Sequence, residues 1–222
     1  MTDGARLAAL IRENQPCVAL TGAGVSTESG IPDFRSAGGI WDRFDPYEVA
    51  SIDAFHRDPA HHALAQLEEV GLVRAVITQN VDRLHAAAGS RDVIEVHGTI
   101  ARARCVRCGT VVEGSELRAL LPLPHCPSCG AVPKPDVVMF GEFLPVAAFD
   151  RAVELARNAA LLLVVGSSLE VWPVAGLPEE TLAAGGRLGI VNREATPYDA
   201  RAAVVVHASA AETLAACAAA LS

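Results

Sequence analysis

Short runs that are apolar almost from end to end, Cys17 to Thr21, Ala75 to Thr78, Leu161 to Val165, Leu188 to Val191 and Ala203 to Val206, alternate along this chain with stretches of helical pattern. A strand without a polar face must be covered on both sides, which is the condition of a parallel sheet wrapped by helices. Gly4 to Glu13, Ala60 to Val70, Arg151 to Asn158, Thr181 to Ala184 and Ala211 to Leu221 read as the covering helices. The alternation predicts an α/β protein built on a doubly wound, parallel, Rossmann-like sheet. Between about Thr99 and Pro135 it is interrupted by a stretch of Pro, Gly, charged residues and cysteines, which reads as a small inserted module.

At 222 residues the chain suits one main domain with a modest appendage. Lys and Arg number 18 against 26 Asp and Glu, for a net charge of -8, so no basic face is offered to nucleic acid or an anionic membrane. Lys134 is the sole lysine; among abundant alanine and arginine this reads as compositional bias. The longest apolar run, Ala159 to Val165, is far too short to span a bilayer, and no basic-then-apolar leader opens the chain. We expect a cytoplasmic protein, a monomer or weak oligomer, with neither nucleic-acid nor membrane partners. Six cysteines in such a chain point to thiols or metal ligands rather than disulfides.

Cys105, Cys108, Cys126 and Cys129 form C-x2-C-x17-C-x2-C, with Gly109 and Gly130 following the two pairs. Two turns, each presenting two thiolates, suit one tetrahedral zinc ion per chain, and with no open ligand position the ion is expected to be structural. Two redox dithiols or two disulfides are the competing readings, and His125 is a lesser candidate ligand. Cys17 and Cys217 read as small buried hydrophobes.

The first apolar run feeds Gly22-Ala23-Gly24, where small residues let backbone approach a pyrophosphate and a helix opening near Val25 would point its positive end at the anion. Thr27 stands where a dehydrogenase fingerprint needs its third glycine, so hydride transfer is disfavoured. Downstream lie Pro32-Asp33-Phe34-Arg35, Thr78-Gln79-Asn80-Val81-Asp82, Val96-His97-Gly98, Gly166-Ser167-Ser168 and Val191-Asn192-Arg193-Glu194. Several of these follow strand ends, the edge at which α/β sheets bind ligands. The serines are equally suited to capping a following helix.

In this order, and over nearly the whole chain, the motifs resemble the sirtuin family, NAD-consuming enzymes that remove acyl groups from protein lysines, some of which transfer ADP-ribose instead. The resemblance, taken as to a bacterial-type member, implies NAD as co-substrate. It gives Gly22, Ala23, Gly24, Arg35, Gly166, Ser167 and Ser168 to phosphate and ribose, and Asn192 and Glu194 to the adenosine side. Gln79, Asn80 and Asp82 fall to the nicotinamide ribose, with Asp33 helping to hold it and Phe34 screening it. His97, otherwise a lone histidine of ordinary structural type, becomes the general base that takes a proton from a ribose hydroxyl, with Asn80 beside it in the catalytic set. Val137, Val138, Phe140 and Gly141 resemble the segment that pairs with an acyl-lysine peptide by strand addition, although the same residues read equally well as a core strand. The implied division is residues 1–98 and 136–222 for the NAD-binding domain, with 31–69 as cofactor loop and truncated helical module, and 99–135 for the zinc module.

One departure stands out. Arg57-Asp58-Pro59 runs straight into Ala60-His61-His62, where most sirtuins place a longer helical wall for the acyl channel, so a more open pocket or one completed by a partner is expected. His56, His61 and His62 are expected in solvent, and neither His85 nor His207 acquires a role. Protein-lysine deacylation is the leading function. Mono-ADP-ribosyl transfer and non-catalytic NAD sensing are the alternatives.

Overall fold

The structure, a computed structural model, describes residues 2–26, 59–119 and 124–221. Six strands form a parallel sheet in the order β3-β2-β1-β7-β8-β9: β1 Cys17–Thr21, β2 Ala75–Thr78, β3 Val93–Glu95, β7 Leu161–Val165, β8 Arg187–Val191 and β9 Val204–Val206. Chain order runs outward from β1 through β2 to β3, then restarts at β7 on its other side, so the strand order reverses between β1 and β7. That reversal opens a crevice at the carboxyl ends of those two strands.

All five residues of β1 and all five of β7 are buried, because helices cover both faces. One core joins Cys17 and Ala19 of β1 and Leu161, Leu163 and Val165 of β7 to α1 Asp3–Glu13, α2 Pro59–Glu69 and the closing helix, α7 Ala210–Leu221. The opposite core sets Val18, Leu20, Leu162 and Val164 against α5 Val146–Asn158 and α6 Leu177–Ala183. Alternate residues of one strand thus enter different cores, the period-two rule of a pleated sheet. Thr2 opens α1 by accepting the Ala5 amide at 3.3 Å, an N-cap of ordinary kind.

A second sheet of three antiparallel strands, β5-β4-β6, interrupts the first: β4 Gly98–Cys105, β5 Val111–Glu113 and β6 Pro133–Val137, with the short helix α4 Gly114–Ala119. Only two residues separate the end of β3 at Glu95 from the start of β4 at Gly98, so the large sheet hands the chain to the small one through the turn Val96-His97. Another short helix, α3 Leu84–Ala87, sits between β2 and β3. Two helices begin earlier than the sequence suggests: α5 at Val146 rather than Arg151, and α6 at Leu177 rather than Thr181. Among the described residues, no helix is long and apolar enough to cross a membrane.

Candidate active site

At the reversal point the turn after β1 packs backbone to backbone on the turn after β7. The Gly22 amide donates to Val165 O at 3.1 Å and the Gly24 amide to Gly166 O at 2.9 Å. A Cβ on Gly24 would lie 2.8 Å from Gly166 Cα, and one on Gly166, whose φ is +60°, would lie 2.3 Å from Val25 N. These glycines therefore let two strand ends touch, and two of the amides first assigned to an anion are already engaged within the protein. The expected helix at Val25 is only a single 3-10 turn, Ala23–Val25, within the described residues. Asp33, Phe34, Arg35 and residues 56–58 of the shortened wall lie outside the described residues.

The next loop gathers polar groups. Gln79 Nε2 donates to Ser167 Oγ at 2.9 Å, tying the end of β2 across β1 to the end of β7. Asn80, 6% exposed, donates from Nδ2 to Ser26 Oγ at 2.8 Å, and Ser26 Oγ donates to Asp82 Oδ2 at 2.9 Å. The other Asp82 oxygen accepts the Leu84 amide at 2.9 Å, which fixes the carboxylate. Ser26 and His61, absent from the sequence-derived site, belong to this cluster: His61 Nε2 lies 3.4 Å from Ser26 Oγ. His61 is 1% exposed, which corrects the expectation of a solvated side chain. It occupies the same helical face as Leu64, three residues on, so burial of that face carries it inward. His85, also 1% exposed, meets Thr21 Oγ1 through Nε2 at 2.9 Å, and its ring centroid lies 4.3 Å from that of His61. Burial, reinforced by the neighbouring His61, pushes the His85 pKa well below the ordinary imidazole value.

His97 is held from two directions. Its Nδ1 lies 3.0 Å from Gln79 O, and its own carbonyl accepts the Val138 amide at 2.9 Å. A carbonyl can only accept, so Nδ1 carries the proton and Nε2 is left as the basic nitrogen. Burial lowers the His97 pKa from its ordinary value, the backbone bond to Gln79 opposing that shift in part, so the imidazole is neutral near pH 7. Gly98, at φ +79°, cannot be another residue, because a Cβ there would lie 2.1 Å from Asp136 O.

At the end of β8, Asn192 Nδ2 donates to Glu194 O at 2.8 Å and the Asn192 amide to Val206 O at 3.1 Å, while Glu194 is exposed and, after β7, Ser168 is half-buried. Beyond β6 the chain leaves the small sheet: Val137 and Val138 are half-buried, Phe140 is 101% exposed and Gly141 is exposed. A buried core strand is thereby excluded for this segment. A cavity of about 550 Å³ lies apart from all these groups, against α5 between Arg74, Asp92, Arg151 and Glu154.

In the small sheet the four sulfur atoms of Cys105, Cys108, Cys126 and Cys129 lie within 4.8 Å of one another. The Cys105–Cys129 and Cys108–Cys126 pairs are 3.5 Å apart, far beyond a covalent S–S bond, and all four are free thiols. Zinc–sulfur arms of about 2.3 Å give a tetrahedron with edges of roughly 3.8 Å. The cluster therefore fits one structural zinc, held without His125. Cys17 and Cys217 are wholly buried, and burial raises both thiol pKa values, that of Cys217 to about 12.

The profile of the Sir2 family matches residues 22–60 and 54–173. An NAD-dependent protein deacetylase of Caldivirga maquilingensis is 43% identical over 245 aligned residues, covering 96% of this chain and 92% of that protein. NAD-dependent protein deacylase 2 of Pyrobaculum aerophilum is 44% identical, covering 94% of this chain and 92% of its own length. A solved Sir2 variant holding a deacetylated p53 peptide and 3′-O-acetyl ADP ribose superposes with a TM-score of 0.81 at 39% identity, covering 95% of each chain. Both named relatives are archaeal, which corrects the bacterial type expected from the motifs. The motifs encode cofactor chemistry common to the family and carry no mark of lineage. By profile, by sequence and by fold, this chain belongs to the Sir2 family of NAD-dependent protein deacetylases and deacylases.

Proposed function

We propose that this chain binds NAD across the β1–β7 crevice and uses it to release acyl groups from lysine side chains of proteins or peptides in the cytoplasm. His97 is the general base. Its tautomer carries the reading: with Nδ1–H committed to Gln79 O, the unprotonated Nε2 is ready to accept a proton at neutral pH. The acyl carbonyl oxygen attacks the anomeric carbon as the bond to nicotinamide breaks, and the leaving group carries off the electron pair. His97 then takes the proton of a ribose hydroxyl, whose oxygen adds to the imidate carbon. Water completes the release of free lysine and O-acyl-ADP-ribose.

Gln79, Asn80 and Asp82 hold the nicotinamide ribose in this reading, with Asp33, Phe34 and Arg35 closing over it. Gly22, Ala23, Gly24, Gly166, Ser167 and Ser168 border the phosphates, Asn192 and Glu194 the adenosine. Val137, Val138, Phe140 and Gly141 pair with the substrate backbone. That segment is supported by its exposure and by the contact of Val138 with the His97 carbonyl. Residues 99–135 serve as a zinc module that takes no part in the chemistry, and the rest of the chain, with a shortened wall near 56–62, forms the nucleotide-binding body.

The test is product analysis. The purified chain, given NAD and a panel of acetyl-, longer-acyl- and succinyl-lysine peptides, should release nicotinamide only when an acyl peptide is present, with O-acyl-ADP-ribose and deacylated peptide in equal amounts by mass spectrometry. A shortened wall predicts turnover of longer acyl chains, and strict acetyl preference would remove that part. ADP-ribose found on protein instead would favour the transferase alternative, and NAD binding without cleavage would favour a sensor.

A further inference from the structure

The only lysine in the chain lies against the segment read above as the substrate edge. Lys134 Nζ donates to Val137 O at 2.8 Å and to Glu142 Oε2 at 2.6 Å, and the same Glu142 oxygen accepts the Met139 amide at 2.8 Å. One ion pair thus holds two backbone groups of the segment, a carbonyl at its cationic end and an amide at its anionic end. The Glu142 amide returns to Met139 O at 3.0 Å, closing the bend, and the Val138 amide is bound to His97 O at 2.9 Å. Among the described residues, the carbonyl of Val138 and the amides of Phe140 and Gly141 have no partner. Those are the groups an added strand would need. The Lys134 side chain is 26% exposed and that of Glu142 45%, more open than a core pair. A surface ion pair contributes little by itself, so its worth lies in which backbone groups it takes and which it leaves.

We propose that Lys134 and Glu142 are positioning residues for the acyl-lysine substrate: they fix Val137 to Glu142 in the bend that presents Val138, Phe140 and Gly141 to an incoming peptide beside His97. The inference rests on the deacylase reading and on that segment as its peptide edge. It gives a function to a lysine that composition alone left as an accident of an arginine-rich chain.

Steady-state kinetics of Lys134→Met, Glu142→Gln and Lys134→Arg decide it, with melting temperature and zinc content measured beside them. Lys134→Met and Glu142→Gln should each raise the KM for an acetyl-lysine peptide roughly tenfold, the scale of one lost charge-assisted hydrogen bond, while the KM for NAD stays unchanged. Lys134→Arg, which keeps charge and donors, should stay within about threefold of wild type. The double variant should be no worse than the poorer single one, because both act through one bend. An unchanged peptide KM in the Met and Gln variants overturns the proposal, as does an equal rise in both KM values, which would mean general loosening. Should Lys134→Met fail to fold, Glu142→Gln carries the same test at an exposed carboxylate. A wild-type chain that never turns over acyl peptide removes the deacylase reading and this inference with it, whereas turnover with unaltered peptide KM removes the inference alone.

Discussion

The two sheets of this molecule are held together by different means. The parallel sheet is apolar within: β1 and β7 are buried along their whole lengths, and among the described residues the polar cluster from Thr21 and His85 to Ser26, Asn80 and Asp82 is bonded largely within itself. The antiparallel sheet is thin. β5 shows the pattern exposed-buried-exposed and β6 has one buried residue, Pro133, so apolar burial cannot hold that sheet. Four thiols stand in for the missing core. His97 lies where the two meet: Val96 donates to Thr78 O in the large sheet, and His97 O receives Val138 from the chain leaving the small one. The proposed general base, placed at such a seam, has its partners set by core packing on one side and by the thiolate module on the other.

Removing the metal should separate the two sides most strongly. Structural zinc in small modules contributes on the order of 10 kcal/mol or more of apparent folding free energy. Chelation, or Cys126→Ser, is expected to unfold β4 to β6 while the parallel sheet persists. Hydrogen exchange would show protection lost from 98–137 and kept in β1, β7 and β8, with NAD still bound and acyl-peptide turnover gone. Equal loss of protection in both sheets would mean that the seam transmits folding, and the division drawn here would be wrong.

Next in size is His97→Ala. Loss of a general base typically lowers turnover 100- to 10,000-fold. Because the proposed phosphate contacts Gly22, Gly166 and Ser167 belong to other strand ends, NAD affinity by calorimetry should change little. Retained turnover would remove the catalytic role from this residue.

Gly166→Ala tests the sheet side alone. The new Cβ would need a left-handed backbone and would lie 2.3 Å from Val25 N, with no flexible side chain to yield. Strain and overpacking together should cost about 2–5 kcal/mol and shift the thermal midpoint of the large sheet. A wild-type midpoint would show that the two turns separate easily.

Legibility in the sequence followed the same division. The four inner strands of the large sheet, β1, β2, β7 and β8, read true because burial on both faces leaves unbroken apolar runs; Cys17 to Thr21 is an example. The four cysteines read true because thiolate spacing is a local signal. What failed was either weakly marked or distant. α5 starts at an exposed Val146 after Pro145, without a polar cap, and α6 starts at Leu177-Pro178, where proline in the first turn was the available sign. His61 and Ser26 escaped notice because their partners, Asp82 and Asn80 among them, lie far along the chain. His61 had one local clue, its place three residues before Leu64 on the buried face of α2.

The buried histidines also give the smallest of the expected effects, one confined to the side of the parallel sheet. The His85 pKa is held well below its ordinary 6.5 by burial, with His61 adding to the shift. Below pH 6.5 the unfolded chain takes up a proton that the folded chain refuses, so the stability from keeping this ring neutral is full at neutral pH and is lost as pH falls. The slope for one such group is about 1.4 kcal/mol per pH unit, continuing until the lowered folded pKa is reached. His97, whose pKa is lowered less completely, adds to the same limb. Asp136 and Glu142, whose pKa values are depressed by their cationic partners, lose their contribution only when pH falls into the carboxylate range. Below pH 6.5 the histidine contribution is opposed by Glu95, whose pKa burial raises, so it is read as the difference between wild type and a variant lacking the ring. Urea titrations of His85→Gln, which can still bond Thr21 but cannot ionise, should show that slope flattened by about one proton relative to wild type; an unaltered slope would mean that the ring takes up its proton in the folded state.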